Sequence, residues 1–446
     1  MAFIRARLTY ANIIATLALF LALGGTSWAV TQLPKNSVGT AQLKKNAVTG
    51  DKVKAGSLSA SDFAKGSLPA GPAGPAGPAG AAGATGATGP QGPKGLLDAP
   101  VFSQTDFAGI PSPGDFDMAI GADGLPIIVS VHAYDEGVAR IDVVHCSDIA
   151  CTTATSSILV QGDVNLPHIA IGADGLPVIM HNAGNAITLV HCANATCSQS
   201  TGRTLSLLPA GRVLDFAIAT TGFPVIGFSP SSSADYIRMC SDASCSTMDA
   251  ARELSNNAAE ADIEIGSAGS PAIAYKDNAS GIRFQQCSAA DCGSLPTGYL
   301  LSATAFTTAP ALRVGADGLP FLTYGEGTPR TLNIVRCTNR ACSGAQTTTP
   351  LTGVNVADEA PSLVIGSDGL PLIVTHNTGG QIVAFHCSTT TCVNFTSALV
   401  DGDPTNLAPT ATQIGVDGNP IIAASGDGLR LLHCSSTFCA PYQRAS

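Results

Sequence analysis

Two sets of residues have types and spacing suited to chemistry, and the first is cysteine. In HCANATC, His191 to Cys197, two cysteines stand five positions apart behind a histidine. The same C-x4-C spacing joins Cys146 with Cys151, Cys192 with Cys197, Cys240 with Cys245, Cys287 with Cys292, Cys337 with Cys342, Cys387 with Cys392 and Cys434 with Cys439, and these seven pairs account for all 14 cysteines. One such pair alone fits a metal site, a redox centre or a disulfide. A structural zinc site needs four ligands, commonly as paired C-x2-C or as C-x2-C with H-x3-H; two-sulfur pairs about 48 residues apart do not supply them. A redox centre is usually one C-x-x-C at a helix N-terminus, and seven copies in strand-rich sequence do not match that. Four residues between cysteines at the junction of two strands make a hairpin loop. Facing Cα atoms there lie roughly 4.5–5.5 Å apart, within disulfide reach. Chain entropy makes each closed loop worth roughly 2 kcal/mol. The residue before the first cysteine is His145, His191, His386 or His433 in four repeats and Met239, Gln286 or Arg336 in the others, which reads as a partly exposed strand face.

The second set is Asp117, His168, Asp215 and Asp262, which hold equivalent places in four successive repeats. His181, Tyr275, Lys276, Asp277, Tyr324, Glu326, His376 and Asn377 stand where they could converge around those four. Carboxylates with imidazole make a polar or cation-binding mouth; the bland reading is a row of solvated loop ends, and both stay open. No residue earns a catalytic or metal-ligand role, and no cofactor is implied. GxSxG, HExxH, P-loop and DxDxDG motifs are missing, and nothing singles out a carboxylate pair for glycoside cleavage. Trp28 is the only tryptophan and aromatics total 5%, so a stacking sugar site has little to build on.

These residues are positioned by a repeat. From residue 99 onward the chain repeats with a period of about 48 residues, which points to a solenoid or propeller. Its second landmark is a turn: GADGLP at 121–126, 172–177 and 315–320, GSDGLP at 366–371, GVDGNP at 415–420, and the weaker ATTGFP at 219–224 and GSAGSP at 266–271. Glycine supplies a positive φ there and Pro opens the outgoing strand. One repeat, 166–208, reads as four strands: His168 to Ile171, Val178 to His181, Ile187 to Cys192, and a fourth near Thr204 to Leu208. Seven such repeats predict an all-β head over 99–446, a seven-bladed β-propeller of four-stranded blades. The last repeat lacks a fourth strand while APVFSQTD at 99–106 precedes the first complete one, so the N-terminal strand is expected to close the ring. Propeller geometry puts the DG turns and the cysteine hairpins on one face. The other face carries the loops that differ between repeats, such as HAYDEGVAR (132–140), SPSSSADY (229–236) and YGEGTPR (324–330). Function is expected there.

Ahead of the head, Arg5 and Arg7 precede the apolar run IIATLALFLAL and the small residues Ser27 and Ala29. Residues 1–29 read as an export signal cleaved after Ala29, with an uncleaved membrane anchor as the rival. Either places the rest outside the cytoplasm, where an even cysteine count favours disulfides. Residues 30–70 hold six Lys against two Asp, and from 36 onward they divide into fives with Val38, Leu43, Val48, Val53, Leu58, Phe63 and Leu68 in every third place. This resembles the pentapeptide-repeat pattern, whose central apolar residues point into a narrow coil. A flexible basic linker lying on an anionic cell wall is the other reading. Residues 71–95 place glycine at every third position beside Pro and Ala, the pattern of a collagen triple helix, which implies a homotrimer; a spacer that never trimerises remains open. Residues 1–98 carry a balance of +6, which leaves −16 on the remainder of a chain whose net charge is −10. An acidic head argues against nucleic acid as a partner.

Taken together, ANIIATLALFLALGGTSWA, LPKNSVGTAQLKKNAVTG, the Gly-Pro-Ala run and a globular head resemble the secreted collagen-like stalk proteins of actinobacteria. The head resembles secreted bacterial propeller repeats of the strand-DGxP-strand kind. Neither resemblance implies an activity or a catalytic residue. The expectation is a secreted or cell-surface binding protein, with a protein or glycan as its extracellular ligand. The alternatives are a secreted propeller hydrolase or lyase acting at the channel mouth, and a structural surface protein without a ligand.

Overall fold

The computed structural model describes residues 10–24, 37–63 and 101–439, the last apart from 112, 134–137, 207, 231–233, 256–257, 267, 305–306, 345, 358–359, 403–409 and 427. The expected cleavage point after Ala29, the Gly-x-y segment 71–95 and the outermost pentads lie outside these residues. The chain divides into two units, Met1–Gly89 and Pro90–Ser446.

The second unit is the propeller: seven four-stranded antiparallel sheets. The inner strands of blades 1 to 7 are Asp115–Ile120, Val164–Ile171, Gly211–Ile218, Ala258–Ile265, Ala311–Val314, Ser362–Ile365 and Ala411–Ile414. Each packs beside the next, and the first meets the last. Blade 7 is built from both ends of the unit: Val101–Pro111 pairs antiparallel with Gly428–Cys434, which pairs in turn with Pro420–Ser425. The expected closure is therefore present. In blade 2 the fourth strand is Ser200–Thr204, earlier than the Thr204 to Leu208 expected, because the cysteine hairpin feeds directly into it.

The second strands explain the packing. Pro126–Ala133 is buried at every residue but its last. Ile127, Val129 and Val131 face blade 2, whereas Ile128 faces blade 7 with Ile421, Ala423 and Leu431. A middle strand sandwiched between blades has no solvent side, so it reads as a continuous apolar run rather than an alternating one. Such clusters fill all seven interfaces between neighbouring blades.

All seven C-x4-C pairs are disulfides, with Cα atoms 4.8–4.9 Å apart. The expected hairpin geometry holds for the first cysteine of each pair, which ends or directly follows a third strand. The second cysteine departs from it. Cys151, Cys197, Cys245, Cys292, Cys342, Cys392 and Cys439 do not sit in extended backbone opposite their partners but take φ between +47° and +53°. Each also closes a tight turn with its own N–H, as Cys151 donates to the Asp148 carbonyl and Cys439 to the Ser436 carbonyl, both at 3.0 Å. A side chain in that left-handed region costs about 1 kcal/mol, which the covalent closure and the buried sulfurs offset.

The pre-cysteine residues are not merely strand face. In the five repeats whose turn carries Asp, they pair with it: His145 with Asp123 at 2.8 Å, His191 with Asp174 at 3.0 Å, His386 with Asp368 at 3.0 Å, His433 with Asp417 at 2.9 Å, and Arg336 with Asp317. The other oxygen of each Asp accepts the N–H two residues on, as Leu125 donates to Asp123. Thr221 and Ala268 replace that Asp in blades 3 and 4, and there the partners are Met239 and Gln286.

The first unit contains the helix Tyr10–Gly24 and a stalk. Among the described residues no helix is long and apolar enough to cross a membrane. The stalk's unit is ten residues rather than five. Short 3-10 turns start at Thr40, Gly50 and Ala60. Asn46 and Gly56, also ten apart, take φ of +64° and +76°. Pentads alternate in role, one supplying the 3-10 turn and the next the left-handed residue, which doubles the repeat.

Candidate functional site

Alternate residues of an inner strand share a face, so the lining of the channel falls into two rows two residues apart on each blade. The outer row is Asp117, His168, Asp215, Asp262, Ala311, Ser362 and Ala411; the row two residues further on is Ala119, Ala170, Ala217, Glu264, Arg313, Val364 and Gln413. They enclose a cavity of about 860 Å³, lined by the inner strands of all seven blades, with Asp115 also at its wall. Its polarity is one-sided. Blades 1 to 5 contribute every charge, while blades 6 and 7 contribute small or uncharged residues.

The structure thus brings together Asp117, His168, Asp215 and Asp262. They also tie blade to blade. Ile169 of blade 2 donates its N–H to Asp117 at 3.0 Å, Ile263 of blade 4 to Asp215 at 2.6 Å, and Leu312 of blade 5 to Asp262 at 2.8 Å. His168 Nδ1 lies 3.5 Å from Asp215. Arg313 reaches Asp262 at 3.2 Å and Glu264 at 4.0 Å. Among the described residues, no three His, Cys, Asp or Glu side chains converge to hold a metal ion.

Burial sets the protonation states. It pushes Asp215 well above the carboxylate range, with repulsion from Asp262 and Asp117 added and the Ile263 N–H opposing. It raises Asp117 and Asp115 too, both against the pull of His168. Glu264 is pushed up to about 7 by burial, with Arg313 opposing and Asp262 reinforcing. Its side chain keeps 33% of its surface accessible and lines the channel, a recess in which a charge is solvated less well than in bulk water. His168 is lowered by burial against the attraction of Asp117, Asp115 and Asp262. For Arg313 burial works against the charge, but Asp262, Glu264, Asp215 and Asp117 outweigh it and raise the guanidinium.

The other four candidates are not at the channel. His181, Tyr275, Tyr324 and His376 are 1–2% exposed and lie between blades, which corrects the expectation that they gather at the mouth. They sit inside second strands, not in loops. The Tyr275 hydroxyl donates to the Leu254 carbonyl of the preceding blade at 3.2 Å, and His181 Nδ1 meets the Asn182 carbonyl at 2.9 Å. Tyr275 and His181 are thus aromatic fillers with a polar tip satisfied, whereas His376 Nε2 is buried without a hydrogen-bond partner. Glu264, Arg313 and Asp115 belong to the channel and escape a reading of the sequence alone. Strand periodicity points to two of them, since Glu264 stands two places after Asp262, and Arg313 two places after Ala311.

A seven-bladed propeller with a one-sidedly charged channel is the class that fold and geometry define. No protein-family model matches the chain, and no curated protein does. Solved structures do match. An ulvan lyase of polysaccharide lyase family PL25, bound to -[GlcA(1-4)Rha3S]-, shares 10% identity with a TM-score of 0.50 over 75% of this chain and 96% of its own. The NanB sialidase from Streptococcus pneumoniae gives 9% identity and a TM-score of 0.45 over 76% of this chain and 70% of its own. The intramolecular trans-sialidase from Ruminococcus gnavus gives 11% and 0.42 over 74% and 95%. At such identities the likeness is one of fold.

Proposed function

We propose that the chain is a secreted or cell-surface binding protein whose head takes a neutral or amine-bearing group of a glycan or protein partner into its channel. The observation that carries this is the polar row in the channel: Asp115, Asp117, Asp215, Asp262 and Glu264 line it together with Arg313 and His168. Burial raises most of these carboxyls toward holding their protons, so the wall offers both donors and acceptors to the hydroxyls or amines of an uncharged or amine-bearing group. Seven disulfides and the apolar segment behind Arg5 and Arg7 support an extracellular place for it. Titrating the full chain with neutral, amino-sugar and uronate oligosaccharides tests the reading. Neutral or amino-sugar ligands are expected to bind, and Asp215→Asn with Glu264→Gln to weaken them by about ten-fold or more. Binding confined to uronates would overturn it.

A second reading, a hydrolase or lyase at the same channel, is favoured by Asp262 and Glu264. They stand two residues apart on one strand and both lie within reach of one Arg313 nitrogen, at 3.2 and 4.0 Å, which makes them a pair of neighbouring carboxyls of the kind glycoside cleavage uses. Glu264, pushed up to about 7, holds a proton to donate while Asp262 is engaged by Arg313. Sharing a fold with a polysaccharide lyase supports this reading as well. Reducing ends released from neutral polysaccharides, or unsaturated product released from uronate-bearing ones, and lost in Glu264→Gln, would establish it; binding without turnover would leave the first.

A further inference from the structure

The stalk spends an apolar residue on every fifth position, and among the described residues none of them is buried. Val38, Leu43, Val48, Leu58 and Phe63 are 41–57% exposed, and Val53 is half-buried. Its backbone is ordered by local bonds alone. Leu43 donates to the Thr40 carbonyl, Ala47 to Lys44, Val53 to Gly50 and Ser57 to Lys54, at 3.0–3.3 Å. The apolar residues therefore do not hold the single chain in shape, and they do not fill the interior of a coil, as the pentapeptide pattern would have them do. Among the described stalk residues the charges are Lys44, Lys45, Lys52 and Lys54 against Asp51 and Asp62. None of them occupies the apolar places.

We propose that this ridge is an interface between copies of the same chain, and that three stalks pack their ridges together. The adjoining sequence supplies both the number and the occupant. Glycine stands at every third place from Gly71 to Gly95, and that pattern is stable only where three chains wind together. Eight triplets are a short triple helix, so the three chains need a further contact nearby. Phe63 is the last described residue of the ridge, and in the sequence the apolar rhythm runs on to Leu68, three residues before Gly71. Each such side chain removed from water adds to the association, and three copies bring the same set. Once either segment has associated, the other associates within one complex at high effective concentration. The inference is independent of what the channel binds.

Sedimentation velocity on the full secreted chain tests it, beside two variants. The combined substitutions Val38→Ser, Val48→Ser and Leu58→Ser leave every stalk hydrogen bond in place, and the thermal transition of the head reports that folding is intact. The wild type is expected to sediment at three times the chain mass, and the triple serine variant to associate with an affinity about ten-fold or more lower. Gly80→Ala, which breaks the triplet pattern, is expected to weaken the trimer but to leave residual self-association that the serine changes remove. A monomeric wild type overturns the proposal. So does a triple serine variant that trimerises as tightly as the wild type, or a monomer whose ridge instead carries it onto phosphatidylglycerol vesicles.

Discussion

His433 and Asp417 show how single residues hold a repeat. The imidazole Nε2 lies 2.9 Å from one carboxylate oxygen, with the His433 side chain 6% exposed, and Asn419 donates its N–H to the other oxygen at 3.1 Å. One carboxylate thus fastens the DG turn to itself and to the strand that leads into the disulfide. The pairing is visible in sequence only as a covariation inside the chain: repeats with Asp in the turn carry His or Arg before the first cysteine, and the two without it carry Met239 and Gln286. Reading each position in isolation hides it. His433→Ala is expected to cost about 1–2 kcal/mol, and a double-mutant cycle with Asp417→Ala should show a coupling above about 0.5 kcal/mol. Strict additivity in chemical denaturation would mean the two side chains do not act together.

At the scale of elements, the ring is closed by one strand from the front of the head and one from its end. Arg430, on the closing strand Gly428–Cys434, lies 2.8 Å from Asp106 on Val101–Pro111 and 2.5 Å from Asp401 in blade 6. It therefore joins the N-terminal strand to the blade beyond it. Arg430→Ala takes the guanidinium away from Asp401, whose side chain is 10% exposed. The expected loss is about 2–3 kcal/mol, with earlier proteolytic cutting within residues 101–111. An unchanged melting temperature and cutting pattern would show that strand pairing alone closes the ring. The blades themselves are legible in the sequence, since seven copies of strand, DG turn, strand and cysteine hairpin leave few other solutions. The stalk is less so: a five-residue apolar rhythm hides a ten-residue backbone rhythm carried by Asn46 and Gly56. Tyr275, Tyr324, His181 and His376 mislead because a polar residue near a variable loop looks like a ligand contact. A strand packed on both faces buries such residues regardless.

Across the whole molecule, two populations of buried ionisable groups pull stability in opposite directions with pH. In the channel, Glu264 is raised from 4.5 to about 7, so the folded chain holds that proton more tightly than the unfolded chain does. Its contribution is fully present below pH 4.5 and is lost as pH rises toward 7. Asp117 and Asp215 are shifted in the same direction. Between the blades, burial lowers His376 from 6.5 to about 4, against the attraction of Asp401. The folded chain therefore binds that proton less readily, and the contribution is full above pH 6.5 and lost as pH falls toward 4. His181 and His132 follow it, both lowered first by burial. The two windows overlap, so the wild-type head should melt at nearly constant temperature between about pH 5 and 6.5. Single variants unmask the halves. Glu264→Gln should give a head whose melting temperature rises with pH across that interval, and His376→Gln one whose melting temperature falls. Parallel profiles for the two variants would show that channel and blade interior do not oppose each other, and would remove the basis for reading the channel carboxyls as proton-holding groups.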